Sequence, residues 1–180
     1  MRLAKLLAIA TPITQLFVTG FALCVAAGPA DAAAGKAAVF NFELEHGAPV
    51  PGAPDHREAE DKRLIMVSER LRVLLAESGF NVVDIAPVSE KAARMSLESC
   101  TACADGFAQE LGADYAVTGV VYKVSELVLS MNVRVHDAAT SAPLTSAVVD
   151  MRGNTDESWR RAIDYLYRNV LKARLEKLKK

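Results

Sequence analysis

Between Lys36 and Leu178 the spacing of apolar side chains changes period repeatedly, and each change marks a boundary between predicted elements. Lys36 to Glu43 (KAAVFNFE) starts apolar and then alternates, which predicts a strand with one buried face. Leu44 to Ala59 carries Gly47, Pro49, Pro51, Gly52 and Pro54, residues that sustain neither a helix nor a sheet ladder, and reads as a Pro/Gly-rich surface loop. From about Glu60 to Ser78 the apolar residues Leu64, Val67, Leu71, Leu74 and Leu75 recur at steps of three and four. That is the signature of an amphipathic helix, with Gly79 placed to end it. Phe80 to Ile85 is a short predicted strand closed by Pro87, residues 89 to 99 are expected to be partly helical, and Cys103 to Leu111 a short helix ended by Gly112.

Three β-rich runs follow: Tyr115 to Val124, Leu127 to Asp137 and Leu144 to Arg152. In the middle one, Leu127, Leu129, Met131, Val133 and Val135 share one phase while Ser130, Asn132, Arg134 and His136 share the other, so the sheet is expected to have one covered face. The last element opens on Asn154 and Glu157 at capping-box spacing, with Asp156 adding negative charge at the helix start. Trp159, Ile163, Leu166 and Val170 then form an apolar stripe continued by Leu171, Leu175 and Leu178. The predicted order is β-α-β-α-β-β-β-α. Helix-linked early strands favour parallel pairing and contiguous late strands a meander, giving an α/β (α+β) domain with helices packed on a mixed β-sheet.

The first 32 residues have a different character. Arg2 and Lys5 precede a mostly apolar run from Leu6 to Ala27, and Pro29 leads to the small-residue site Ala30-Asp31-Ala32. Thr11, Pro12, Thr14, Gln15, Thr19 and Gly20 dilute the run below what a retained membrane anchor needs. Residues 1–32 are therefore predicted to be a cleavable signal peptide, cut after Ala32 or Ala34, that exports residues 33–180 to the periplasm as a single domain with no stable membrane insertion. Cys24 follows Leu23 inside the apolar run, which does not suit a lipid-modified cysteine.

Cleavage changes the charge and cysteine balance. Losing Arg2, Lys5 and Asp31 turns 21 basic and 22 acidic residues into 19 and 21, a net charge of −2 that offers no global field for nucleic acid. Losing Cys24 leaves Cys100 and Cys103 as the sole pair, in a compartment where disulfides persist. A Cys-x-x-Cys at a helix start can serve thiol-disulfide chemistry, because the helix N-terminus stabilises a thiolate. Here no strand leads directly into the motif, and Thr101 and Ala102 lack the aromatic and proline context of thioredoxin-like sites. A disulfide that staples the helix entry is the expectation, with redox catalysis as the alternative.

Other chemistry is sparse. Position 104 is Ala where haem attachment would need His, and zinc would need further ligands, whereas His46, His56 and His136 are scattered. His46 and His56 share their loop with Glu43, Glu45, Asp55, Glu58 and Glu60, a set that reads as an ordinary polar loop or, alternatively, a weak metal site. Arg168, Lys172, Arg174, Lys177, Lys179 and Lys180 complement a helix C-terminus. Trp159, Tyr165 and Tyr167 are expected to pack on the sheet. No paired carboxylates, Ser-His-Asp order or phosphate-binding glycine loop is present, so neither a catalytic residue nor a cofactor or metal is predicted.

The segment Leu111-Gly112-Ala113-Asp114-Tyr115-Ala116-Val117-Thr118-Gly119, followed by Val133-Arg134-Val135-His136-Asp137-Ala138-Ala139-Thr140, resembles a pattern of periplasmic α/β domains. These include the curli-secretion lipoprotein and the N-terminal domain of the Tol-system translocation protein. Ser141 departs from that pattern, standing where a turn glycine is usual. From about Lys36 to Leu171, with Cys100 to Ala104 and Arg152 to Trp159, the chain is more closely similar to a family of uncharacterised exported proteobacterial proteins. The resemblance implies fold and compartment. Together with the lack of catalytic residues it leads to the expectation of a non-enzymatic envelope accessory domain that binds an envelope protein through a sheet edge or loop, with open edges also allowing a homodimer. A thiol-disulfide oxidoreductase and a small-ligand binder are the alternatives.

Overall fold

A computed structural model of the protein describes residues 34–47 and 56–178. The predicted leader and residues 48–55 of the predicted loop, Asp55 included, lie outside the described residues, as do Lys179 and Lys180. The described chain folds into a mixed sheet in the order β3-β1-β4-β5-β6, with β2 also paired to β4. Its strands are β1 (Lys36–Val39), β2 (Glu43–His46), β3 (Asn81–Val83), β4 (Tyr115–Lys123), β5 (Val128–Asp137) and β6 (Pro143–Arg152). The helices are α1 (Arg57–Glu77), α2 (Ala86–Ala92), α3 (Thr101–Glu110) and α4 (Asp156–Leu166), and a π-helical turn over Tyr167–Leu171 joins α4 to α5 (Lys172–Leu175). No helix among the described residues is long and apolar enough to cross a membrane.

The early strands pair in parallel and the late strands form an antiparallel meander. Where the sequence reads one strand from Lys36 to Glu43 and then a loop, the chain makes two strands against the same neighbour. Val39 pairs with Val117 and Glu43 with Val120, so four steps on one side match three on the other, as at a β-bulge. Leu44 to His46 therefore belong to a ladder, because proline and glycine begin to dominate only beyond Gly47. Gly119 stands opposite the break, and a β-carbon there would collide with the Phe42 ring. The Phe42 amide meanwhile donates to Ser68 Oγ of α1 at 2.9 Å.

Two apolar layers flank the sheet. On one side α1 and α4 cover Val39, Val117, Val121 and the β5 row Leu129, Met131, Val133 and Val135. Trp159, Ile163, Leu166, Tyr167, Leu171 and Leu175 supply the stripe from the last helices. The wide π-helical turn keeps both Tyr167 and Leu171 facing the core, although they are one residue out of step with the α-helical stripe running through Val170. On the other side α2 and α3 cover Ala38, Phe40 and Ala116. β1 is thus buried on both faces instead of the predicted one, and Ala37, Ala38, Val39 and Phe40 are all buried. Two further residues differ from expectation: Leu127 precedes β5 in an exposed turn, and Tyr165 points to solvent.

Candidate functional site

α3 starts at Cys100, which caps the helix without a side-chain hydrogen bond and is joined by a disulfide to Cys103, with their Cα atoms 5.3 Å apart. Both cysteines are half-buried. The helix lies close to the sheet because its inward residues are small: Ala104 and Ala108 pack in the layer that holds Ala116 and Ala138. Among these alanines sits Asp105, 1 % exposed, and neither of its carboxylate oxygens accepts a hydrogen bond. His136 on β5 faces it, with Nδ1 3.6 Å from Asp105 Oδ1. His136 is itself 8 % exposed, so α3 converts one residue of the predicted open strand face into a covered one.

Two residues earlier on the same face, Arg134 forms an ion pair with Glu98 Oε1 at 2.6 Å, and the Tyr122 hydroxyl donates to the same oxygen at 2.6 Å. The hydrogen bond to Glu98, followed by burial, pushes the Tyr122 hydroxyl above the usual phenol range. A cleft of about 500 Å³ opens beside this group, walled by Thr101 of α3, by Arg134 and His136 of β5, and by Ser141 of the β5–β6 hairpin and Pro143 to Ser146 of β6. The hairpin is held by Asp137, whose Oδ1 accepts from the Thr140 amide and hydroxyl, both at 2.8 Å. Those bonds draw the Asp137 carboxyl below its usual range. Ser141 takes φ +57°, which explains why glycine is usual at that turn position.

A second polar cluster joins α1, β4 and α4. Glu60 is 1 % exposed and accepts from Lys123 Nζ at 2.6 Å and from Asn154 Nδ2 at 2.6 Å. Lys123 also pairs with Glu126 at 2.5 Å, while Asn154 Oδ1 accepts from Trp159 Nε1 at 3.0 Å and Arg63 Nη1 at 3.1 Å. Burial by itself would lower the Lys123 pKa, but the bonds to Glu126 and Glu60 hold it above the ordinary lysine value; bonding to Lys123 pulls Glu126 down. Asn154 is therefore committed to this cluster and is not the helix cap. Thr155 caps α4, its side chain accepting from the Ser158 amide at 3.2 Å. Every member has partners within the protein, so the cluster reads as a structural tie between three elements.

Among the described residues, the acidic and histidine residues of the predicted loop do not converge. Glu43 accepts from the Leu97 amide at 2.5 Å, Glu60 is inside the cluster just described, His46 is exposed, and His56 lies 4.0 Å from Glu126. Among the described residues no group of three or more His, Cys, Asp or Glu side chains is placed to hold a metal ion. The pairing of Asp105 with His136 was not read from the sequence. The available signal was a single acidic residue in register with Ala104 and Ala108 on a short helix.

β6 forms one edge of the sheet and β3 the other. The Ser146 carbonyl accepts from Arg174, and the Arg152 carbonyl from Ser158 Oγ at 3.0 Å, so backbone groups at these alternate positions point away from β5. By the two-residue period, those of Val148 and Asp150 also face outward, and the Val148 side chain is 57 % exposed. A groove beside this edge is walled by Val149 to Arg152 and, from α4, by Arg161 and Tyr165.

Residues 35–171 match the model of the DUF3280 family, described as "Protein of unknown function (DUF2380)". No curated protein matches the chain. Among solved structures the fold is similar to lipoprotein GNA1162 from Neisseria meningitidis, with 15% identity, a TM-score of 0.49, and coverage of 75% of this chain and 98% of that one. It is also similar to the LpoB C-terminal domain from Salmonella enterica, at 18% identity and a TM-score of 0.46, covering 66% of this chain and 82% of that one. The PelC dodecamer from Paraburkholderia phytofirmans shows 18% identity and a TM-score of 0.46 over 77% of this chain and 89% of that one.

Proposed function

Because the chain belongs to the DUF3280 family, whose description assigns no activity, we propose its function from its own surface: a non-enzymatic accessory domain of the cell envelope that binds another protein through β6. The leader pattern of residues 1–32, with the small-residue site at Ala30 to Ala32, supports export to the periplasm and removal of the leader. The observation that carries the binding role is the free edge at Val148 to Asp150, where outward backbone donors and acceptors adjoin an exposed apolar side chain. The occupant is an extended, acidic segment of a partner protein added as a further strand. Arg174 stands at one end of the open window and Arg152 at the other, so acidic side chains flanking the paired residues would meet a cation at each end.

The test places a photo-crosslinking residue at Val148 in the full chain expressed in cells, with a second probe at exposed Ile65 on α1 as the control. An adduct of defined mass at Val148 that is absent at Ile65 and lost in a Val148→Pro variant supports the reading, since proline removes the outward N–H without taking a bond from β5. Adducts of twice the chain mass would make a second copy the occupant and overturn the acidic-partner reading, as would identical patterns at both sites.

The Cys100–Cys103 disulfide is, in this reading, a staple that fixes the entry of α3. Ala104 and Ala108 hold that turn against the sheet, and no basic side chain stands in the first turn of α3 to stabilise a thiolate.

A further inference from the structure

The cleft between α3 and the β5–β6 hairpin has a one-sided chemistry. Eight residues line it: Arg134 and His136 bring N–H donors, four more bring hydroxyls, and none is acidic. Its two nitrogen-bearing side chains are differently held. Arg134 spends one guanidinium nitrogen on Glu98, and its side chain is 34% exposed, leaving the rest of the donor fork toward the cleft. His136 is nine-tenths buried with Nδ1 directed at the buried Asp105, so Nε2 is the nitrogen available to a ligand. An Nε2–H on this ring would donate into the cleft in front, with Asp105 standing 3.6 Å behind Nδ1.

We propose that this cleft is a binding site for a carboxylate group of a small molecule or chain terminus. Arg134 would offer its planar fork and His136 Nε2–H would meet the same group from beside it, with the Thr101 and Ser146 hydroxyls at the wall. A monoanion fits better than a phosphate dianion. Glu98 lies against Arg134 and Asp105 stands behind His136, so a carboxylate already faces each of the two nitrogen-bearing side chains and a dianion would meet more repulsion than a monoanion. Asp105 is a positioning residue: buried among alanines without a hydrogen-bond donor of its own, it anchors the imidazole from behind. The site lies on the sheet face next to α3 and does not depend on the β6 edge being occupied.

The experiment titrates the purified protein with N-acetylglycine, N-acetylglycinamide and inorganic phosphate, following the His136 imidazole resonances by NMR and assigning them with His136→Gln. Backbone amide spectra check that each variant is folded. The expected result is a saturable His136 shift with N-acetylglycine, with Kd on the order of 1 mM for so small a probe. The amide should leave the resonances unmoved, phosphate should bind more weakly, and Arg134→Gln should weaken N-acetylglycine about tenfold. Arg134→Lys, which keeps the charge and loses the fork, should fall between. An equal response to acid and amide overturns the proposal, as does a folded Arg134→Gln protein that binds like the parent, or no saturable shift at all.

Discussion

Replacing Lys123 with methionine removes the cation from a site where it is most needed. Glu60 is 1 % exposed, so its carboxylate would be left in the interior with Asn154 Nδ2 as its remaining donor. The Lys123 side chain is itself only 12% exposed, which makes this a buried pair and exempts it from the heavy screening of surface salt bridges. Removing one member of such a pair costs about 3–5 kcal/mol, and the surviving hydrogen bond from Asn154 places the expectation near 3 kcal/mol. For a domain of this size that corresponds to a fall in Tm of roughly 10 °C. Urea unfolding followed by circular dichroism measures the cost directly. The companion variant is Glu60→Leu with Lys123→Met, which removes both charges. It should recover at least about 1 kcal/mol relative to Lys123→Met alone, because an apolar pair leaves no orphaned carboxylate. A single variant costing under about 1 kcal/mol, or a double variant whose loss equals the sum of the two singles, would refute the assignment of Glu60 and Lys123 as a coupled buried pair.

The pH dependence of the same cluster has a definite sign. The Lys123 pKa is raised on folding, so its contribution is complete below the unfolded lysine value and is lost as pH climbs through the folded one. Glu126 is lowered, so its contribution is present above the unfolded carboxylate value and disappears as pH falls through the folded one. Urea midpoints measured at acid and alkaline pH should fall at both ends, and Lys123→Met should flatten the alkaline limb; an unchanged limb would contradict it. Gly119→Ala drives a methyl into the Phe42 ring and should cost about 2 kcal/mol by thermal unfolding, with Phe42→Leu in the same chain restoring part of it. Breaking the Cys100–Cys103 bond with Cys100→Ser and Cys103→Ser releases a loop of only four residues, so the expected loss is about 2 kcal/mol. Amide exchange should rise in α3 and not in α1, and equal loss of protection in both helices would remove the local-staple account.

Long single-period segments were legible in the sequence, and positions where two elements compete for one residue were not. The stripe Leu64 to Leu75 and the alternation Leu129 to Val135 each report one face of one element, and both elements sit where the pattern puts them, since burial of that face dominates their placement. Asn154 shows the limit. Its spacing to Glu157 satisfies a capping box, yet Thr155 is equally able to cap from the next position, and Asn154, besides Trp159 in the helix it precedes, has partners on Glu60 and Arg63 that no local window contains. Tertiary hydrogen bonds left unmade in a buried place cost more than a cap moved by one residue, so the cap moves. The same competition hid the cleft. Arg134 and His136 lie on the polar phase of β5, which locally predicts solvent, and only the close approach of an alanine-faced helix carrying Asp105 turns that phase into the wall of a site. The physical information was present as three small facts in separate segments: small residues on α3, one acid among them, and a histidine two places from an arginine. What joins them is a sheet–helix distance, a property of packing that no periodicity along the chain encodes.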